Sequence, residues 1–236
     1  LVDPVFGHIR HLAMSVWALL VWLLDDDGLS KSGRWWLRIG RICGLTILLW
    51  SGGRGAVGAT ALAITVTLWL RPPLRLRWRS LTAELFVALV AAYQLDIGAP
   101  AFGFIDGFFR TIGPSNLDAI SSTRLSLWSK TWSRLNQGYE FWLGAGGNGY
   151  MRMGLAAGML FHPHNFFLQV MTDWGIVGLA LVFYLAWWFA RSLCAISLRE
   201  PAATLGVGML VFLGCMGSLD GGLYHPQFLI CLAIAI

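Results

Sequence analysis

The sequence predicts an all-α, polytopic helical membrane protein, and three observations predict it. Hydrophobic residues make up 57% of the 236-residue chain and charged residues only 12%, about half the roughly 25% charge of an average soluble domain. Among the hydrophobic residues are 13 Trp and 14 Phe, whose large apolar surface so few charges cannot cover in water. Apolar runs alternate with short basic connections along the chain. This composition excludes a soluble globular enzyme, a disordered chain, a collagen and a disulfide-stapled secreted module. At ~20 residues per span the chain has room for about seven passes and one large outer loop.

The apolar runs lie at residues 12–24, 42–70, 81–95, 175–190, 202–216 and 228–236. Lys31, Arg34, Arg38 and Arg41 crowd one connection; Arg71, Arg75, Arg77 and Arg79 crowd the next, around Pro72-Pro73; Arg191 and Arg199 mark a third. By the positive-inside rule these connections are cytoplasmic. Both flanks of the run 42–70 then lie on one side, so it must go out and come back. Its turn chemistry is Ser51-Gly52-Gly53-Arg54-Gly55, which places Arg54 at the outer tip of a hairpin.

The same parity puts residues 98–165 and the short loop 218–227 outside. The expected organisation is transmembrane helices over 1–97, including the Arg54 hairpin, an outer loop over 98–165, and C-terminal transmembrane helices over 166–236. The chain opens on Leu1 and stops on Ile236 inside an apolar run, so it is expected to be an excerpt of a longer protein. The net charge of +5 is a sidedness signal: the basic residues face membrane lipid, and no nucleic-acid partner is expected. Cys43, Cys194, Cys215 and Cys231 fall in or beside spans, where they are expected to pack as small apolar residues without disulfides.

Charge inside a membrane costs roughly 2.5–3.5 kcal/mol for an Arg at a helix centre, so outward arginines are candidates. Arg54, framed by glycines, is either an interface residue snorkelling to headgroups or an anion site. Residues 121–137 show helical apolar spacing in Leu125, Trp128, Trp132 and Leu135, with Ser121 or Ser122 as a cap. On that wheel Lys130 and Arg134 fall on the solvated face and Arg124 at the edge of the apolar sector. There Arg124 meets either a cavity or lipid phosphates.

Gly144-Ala145-Gly146-Gly147-Asn148-Gly149 matches G-x-G-x-x-G, but without the strand and helix of a dinucleotide site. It is expected to be a tight turn whose backbone approaches a glycan or phosphate. Asp25-Asp26-Asp27 contains a D-x-D, expected to be a solvated helix end on the cytoplasmic side. The strongest constellation is Phe161-His162-Pro163-His164-Asn165, leading into a helix that carries Gly175 and Gly178, which are expected to admit a close-packed helix. Only His162, His164 and His225 are at hand to ligate a metal, with no carboxylate cluster beside them, so no metal is assigned. Arg152, Asp220 and His225 also face outward and form a second rank of candidates.

These residues resemble the O-antigen ligase/polymerase superfamily, bacterial membrane glycosyltransferases that use lipid-linked sugars. His164-Asn165, nine residues, then Gly175-x-x-Gly178 matches its H-[N/S/Q]-x9-G-x-x-G motif at every position. Leu168-Gln169 and Asp173 fall where such sequences read L-Q and an acid. Gly53-Arg54-Gly55 looks like the family's S-R-G, with Gly in place of Ser, and Arg124 with Trp128 resembles its R-x-x-x-W. The resemblance runs in order over about residues 40–190.

It implies a GT-C-like, metal-independent enzyme of the bacterial inner membrane, needing no cofactor, with its site facing the periplasm. The donor would be a glycan on undecaprenyl pyrophosphate and the acceptor lipid A-core or another glycan. Arg54 and Arg124 would bind the diphosphate through bidentate contacts. His164 would be the base that takes the acceptor proton, with inversion at the anomeric carbon. Asn165 would orient the histidine or a sugar hydroxyl. A ligase, a polymerase and a protein O-oligosaccharyltransferase all fit this motif, and a lipid or polysaccharide transporter is the reading from a different class. A transporter would be expected to show inverted repeats and broken helices at mid-membrane.

Overall fold

The computed structural model describes residues 16, 29–70, 78–98, 124–156, 162–197 and 201–219. Every regular element among them is helical: α1 (Lys31–Trp50), α2 (Arg54–Leu70), α3 (Trp78–Gly98), α4 (Arg124–Leu135), α5 (Glu140–Leu143), α6 (Gly149–Arg152), α7 (Phe166–Ser197) and α8 (Pro201–Leu219). Described residues up to 110 and those of 193–213 form one compact unit. Those of 111–192 and 214–226 form another.

In the first unit, Ser30 caps α1 by accepting the Gly33 N–H on its hydroxyl at 3.1 Å. The helix ends where the sequence places its turn. Ser51 donates its hydroxyl to the Leu48 carbonyl at 2.7 Å, and Gly52 takes φ 63°, a left-handed value that suits glycine. The run 42–70 is therefore two helices, with Arg54 the first residue of the second.

α1 and α3 pack together. Arg41 donates to Glu84 through Nε at 2.8 Å and Nη2 at 3.1 Å, and Ser80 donates to the same carboxylate at 3.0 Å. Further along, Leu49 shares a buried cluster with Ala88 and Ala92, flanked by Leu45 and Leu89. The contacts advance in the same direction on both helices, so α1 and α3 run parallel. Two parallel helices with one between them in sequence is the order that an out-and-back hairpin produces. The alanines have no exposure at all, because only a side chain this small lets apolar helices approach closely. Arg41 was expected in a cytoplasmic connection; the structure buries it instead, at 7% exposure beside Glu84 at 5%. A second close approach joins α2 to α8, where Gly208 leaves room for Thr67.

α7 is long and apolar enough to cross a membrane; Arg54–Leu70 and Ala203–Leu219 are apolar but shorter. It starts at Phe166, nine residues ahead of the apolar run at 175–190, because Asn165 caps it there. Large apolar side chains crowd the outside of α3 and α7, among them Phe86, Val90, Leu181, Phe183, Trp187 and Trp188. Such a surface suits lipid, not water. Arg191 sits over the Trp187 ring at 5.5 Å, near the end of α7. The expected first and last passes, 12–24 and 228–236, lie outside the described residues except for helical Val16, as do Asp25-Asp26-Asp27 and Cys231. Cys43 and Cys194 are exposed rather than packed, and Cys215 is half-buried; all three are unbridged.

Candidate functional site

The site is built around a turn that precedes α7. His164 has φ 50°, in the left-handed region that costs an L residue roughly 1–2 kcal/mol. Its backbone N–H donates to His162 Nδ1 at 3.2 Å, and the two imidazole rings lie 4.1 Å apart, centre to centre, at 52°. Asn165 follows as the cap of α7: its Oδ1 accepts the Leu168 N–H at 3.0 Å, and its Nδ2 donates to the Ser218 carbonyl at 2.8 Å. Asn165 is 9% exposed, so its amide is a fixed part of the turn.

α4 closes on this turn. The Trp128 indole donates to the Pro163 carbonyl at 2.9 Å. Arg124, half-buried, lies one helical turn earlier on the same face. The buried stripe of α4 differs from the expected one. Thr131 and Leu135 are fully buried, with Leu127 against the same core, while Leu125 and Trp132 are about half exposed. Thr131 enters the core because its hydroxyl donates to the Leu127 carbonyl at 2.8 Å and brings no unsatisfied polar group with it. The stripe 124, 128, 131, 135 therefore centres Arg124 and Trp128, where the sequence wheel had Arg124 at the edge.

The glycine run meets protein backbone. Gly175 interrupts α7 with φ 65° and ψ −166°, which frees the carbonyls that residues 176 and 177 would bond in an unbroken helix. Ala145 N–H donates to the freed Thr172 carbonyl at 2.8 Å and Gly146 N–H to that of Asp173 at 2.9 Å. The Asp173 carboxylate accepts the Gly149 N–H at 2.7 Å, and Gln169 Nε2 lies 3.3–3.4 Å from its two oxygens. A Cβ on Gly144 would strike the backbone of Asp173 and Trp174, one on Gly149 the Thr172 carbonyl, and one on Gly175 the backbone of Trp142 and Leu143.

Two expectations are corrected here. The amides of Ala145, Gly146 and Gly149 are engaged by α7, so they do not cradle a phosphate or glycan. Gly175 and Gly178 do not act together as one seam: Gly175 admits the backbone of Trp142 and Leu143 in the short helix α5, whereas Gly178 admits Trp174 of its own kinked helix.

Arg124, Arg152, His164 and Asn165 belong to the second compact unit and Arg54 to the first. Arg54 stands half-buried at the start of α2, where helix amides favour an anion. Arg152 is exposed and reaches the Ala145 carbonyl with Nη1 at 3.4 Å. Asp220 and His225 lie outside the described residues. Burial pushes the Tyr150 phenol above its ordinary value; Tyr150 is 1% exposed, in the core on which α4 and α7 pack.

The sequence model of the O-antigen ligase family matches residues 39–183, more than half of the chain. The chain belongs to the O-antigen ligase family. The matched stretch holds Arg54, Arg124, the glycine run and the whole histidine motif through Gly178. Members of this ligase/polymerase superfamily are membrane-associated, glycosyltransferase-like enzymes that act on glycan and lipid substrates. No curated protein matches the chain.

Three residues named in the sequence take roles at this candidate site that the sequence does not show. Trp128 stands in the sequence as an apolar position and as the W of R-x-x-x-W; the signal for its bond to Pro163 is that an indole buried at a helix face needs an acceptor for its N–H. His162 was weighed only as a metal ligand; its two-residue offset from His164 is the spacing at which a side-chain acceptor reaches a backbone N–H. Asp173 was noted by resemblance, with nothing local to show that it ties down Gly149.

Proposed function

We propose that the protein transfers an O-antigen-type glycan from undecaprenyl pyrophosphate to lipid A-core at the periplasmic face of the bacterial inner membrane. His164 takes the proton from the acceptor hydroxyl, whose oxygen then forms the new bond at the anomeric carbon. The bond from that carbon to the diphosphate breaks from the opposite face, its electron pair leaves with undecaprenyl pyrophosphate, and the anomeric configuration inverts. The diphosphate is already a good leaving group, so the task left to the protein is to neutralise the charge it develops. Arg54 and Arg124 do this with planar two-donor forks, in the role a divalent ion plays elsewhere. Asn165 holds the histidine turn, and Arg152, Asp220 and His225 remain second-rank candidates.

The observation that carries the reading is the Trp128–Pro163 hydrogen bond within a family-matched stretch. It fastens the helix bearing Arg124 to the turn bearing His164, two motifs that are 40 residues apart in the chain. The break in α7 at Gly175 does not favour the transporter reading, because loop amides complete its freed carbonyls.

Deletion of the gene followed by a glycolipid gel tests the acceptor. Loss of all O-chains with accumulated lipid-linked polymer supports ligation to lipid A-core. Single-repeat chains on the core would make the protein a polymerase. An unchanged pattern would point to protein acceptors or to transport. Re-expression of His164→Ala should fail to restore the chains although the protein inserts, a loss of about 10²–10⁴-fold in rate for a missing general base.

A further inference from the structure

Resting on the reading of His164 as the base, we propose that His162 is its positioning residue, holding the His164 backbone through Nδ1. The His164 N–H to His162 Nδ1 hydrogen bond spans 3.2 Å. A side-chain acceptor on one residue that takes the N–H two residues on has the geometry of an Asx turn, with imidazole Nδ1 standing where an asparagine Oδ1 would. The turn closes over Pro163, whose ring fixes its own φ and whose carbonyl is held by Trp128. Beyond it, Asn165 is fixed by the α7 cap and by Ser218.

His164 needs this support because φ 50° persists in a non-glycine residue only where the surroundings over-determine it. The bond holds the backbone, and the His162 ring, 4.1 Å from that of His164, packs beside the side chain. Accepting through Nδ1 requires a lone pair there, so the neutral His162 ring carries its proton on Nε2. The paired histidines thus divide the work: one meets the acceptor, and the other keeps it in place.

The test uses the full-length protein in nanodiscs, with polyprenyl-diphosphate-linked glycan extracted from cells lacking the gene as donor and membranes of those cells as acceptor. His162→Phe keeps a ring and removes the acceptor; His162→Asn keeps the acceptor and removes the ring. His162→Phe should lower kcat about 10- to 100-fold with the donor KM within about twofold, and His162→Asn should return kcat to within about threefold of wild type. Wild-type kcat in His162→Phe, or His162→Asn as slow as His162→Phe, overturns the proposal. Nitrogen-15 histidine spectra of the unmutated protein give a reading independent of variant folding. A bare Nδ1 on neutral His162 supports the proposal, and a protonated one overturns it. An active His164→Ala would remove the base reading and this inference with it. An inactive His164→Ala beside a fully active His162→Phe would remove the positioning role alone.

Discussion

The Trp128 indole N–H and the Pro163 carbonyl meet at 2.9 Å, and this bond fastens α4 to the turn before α7. Trp128→Phe keeps the ring and removes the donor. It should lower stability by about 1 kcal/mol and slow transfer more than that loss explains, because Arg124 lies one turn away on the same face. Melting in detergent and the single-turnover rate check this together; an unchanged rate would mean the bond is structural only.

The glycine run divides sharply by position. Gly149→Ala drives a methyl into the Thr172 carbonyl, and Gly144→Ala adds a left-handed φ of 71° to a backbone clash. Each should cost about 3 kcal/mol or more and abolish accumulation of folded protein. Gly147→Ala meets open space and should stay within about 0.5 kcal/mol of wild type. The yield of folded protein for the three variants, with thermal unfolding of Gly147→Ala, separates packing from any role of the run in binding.

Arg54→Lys and Arg124→Lys keep the charge and lose the two-donor fork. Each should reduce transfer about tenfold or more while the protein still inserts, since a lysine offers a point charge to a diphosphate. Donor titration should show a weaker KM. Full activity in both would leave diphosphate binding without its assigned residues.

The buried Arg41–Glu84 pair makes a stability prediction that needs no assumption about catalysis. Arg41→Ala or Glu84→Ala breaks this buried pair between α1 and α3, with only the half-exposed Arg38 at 4.0 Å flanking the carboxylate, and should cost about 3 kcal/mol. Arg41→Met combined with Glu84→Leu should recover most of it, because an apolar pair removes both desolvation terms. A double-mutant cycle on melting reads the coupling.

Glu140 supplies a pH dependence. A hydrogen bond from its own backbone N–H, then the Arg134 guanidinium at 3.2 Å, hold its carboxyl below the ordinary 4.5 against the upward push of burial. A depressed folded value means the stabilisation is present above the unfolded value and is lost as pH falls through the folded one. Melting temperature should therefore decline below about pH 4.5, with Glu140→Gln showing a shallower decline.

Much of the fold was legible because membrane folding is governed by one-dimensional rules. The break of the run 42–70 at Gly52, with Arg54 starting the next helix, follows from charge sidedness and local turn chemistry. The cap at Asn165 follows from an amide placed before an apolar helix. The face of α4 was misread because hydropathy alone ranks Trp132 above Thr131, whereas burial depends on whether a polar atom finds a partner. Thr131 finds one on its own helix.

By itself, the sequence determined an all-helical membrane chain, its family, and the residues at which chemistry is to be sought. These depend on composition, on charge along the chain and on short motifs, all of which are local. Only the tertiary structure decided that the Ala145, Gly146 and Gly149 amides hold α7, that Arg41 is buried against Glu84, and that His162 grips the His164 backbone. Each of these turns on which hydrogen-bonding groups are left open after the helices form, and a one-dimensional pattern does not carry that information. The kink at Gly175 opens two carbonyls, and the fold brings the amides of Ala145 and Gly146 to them.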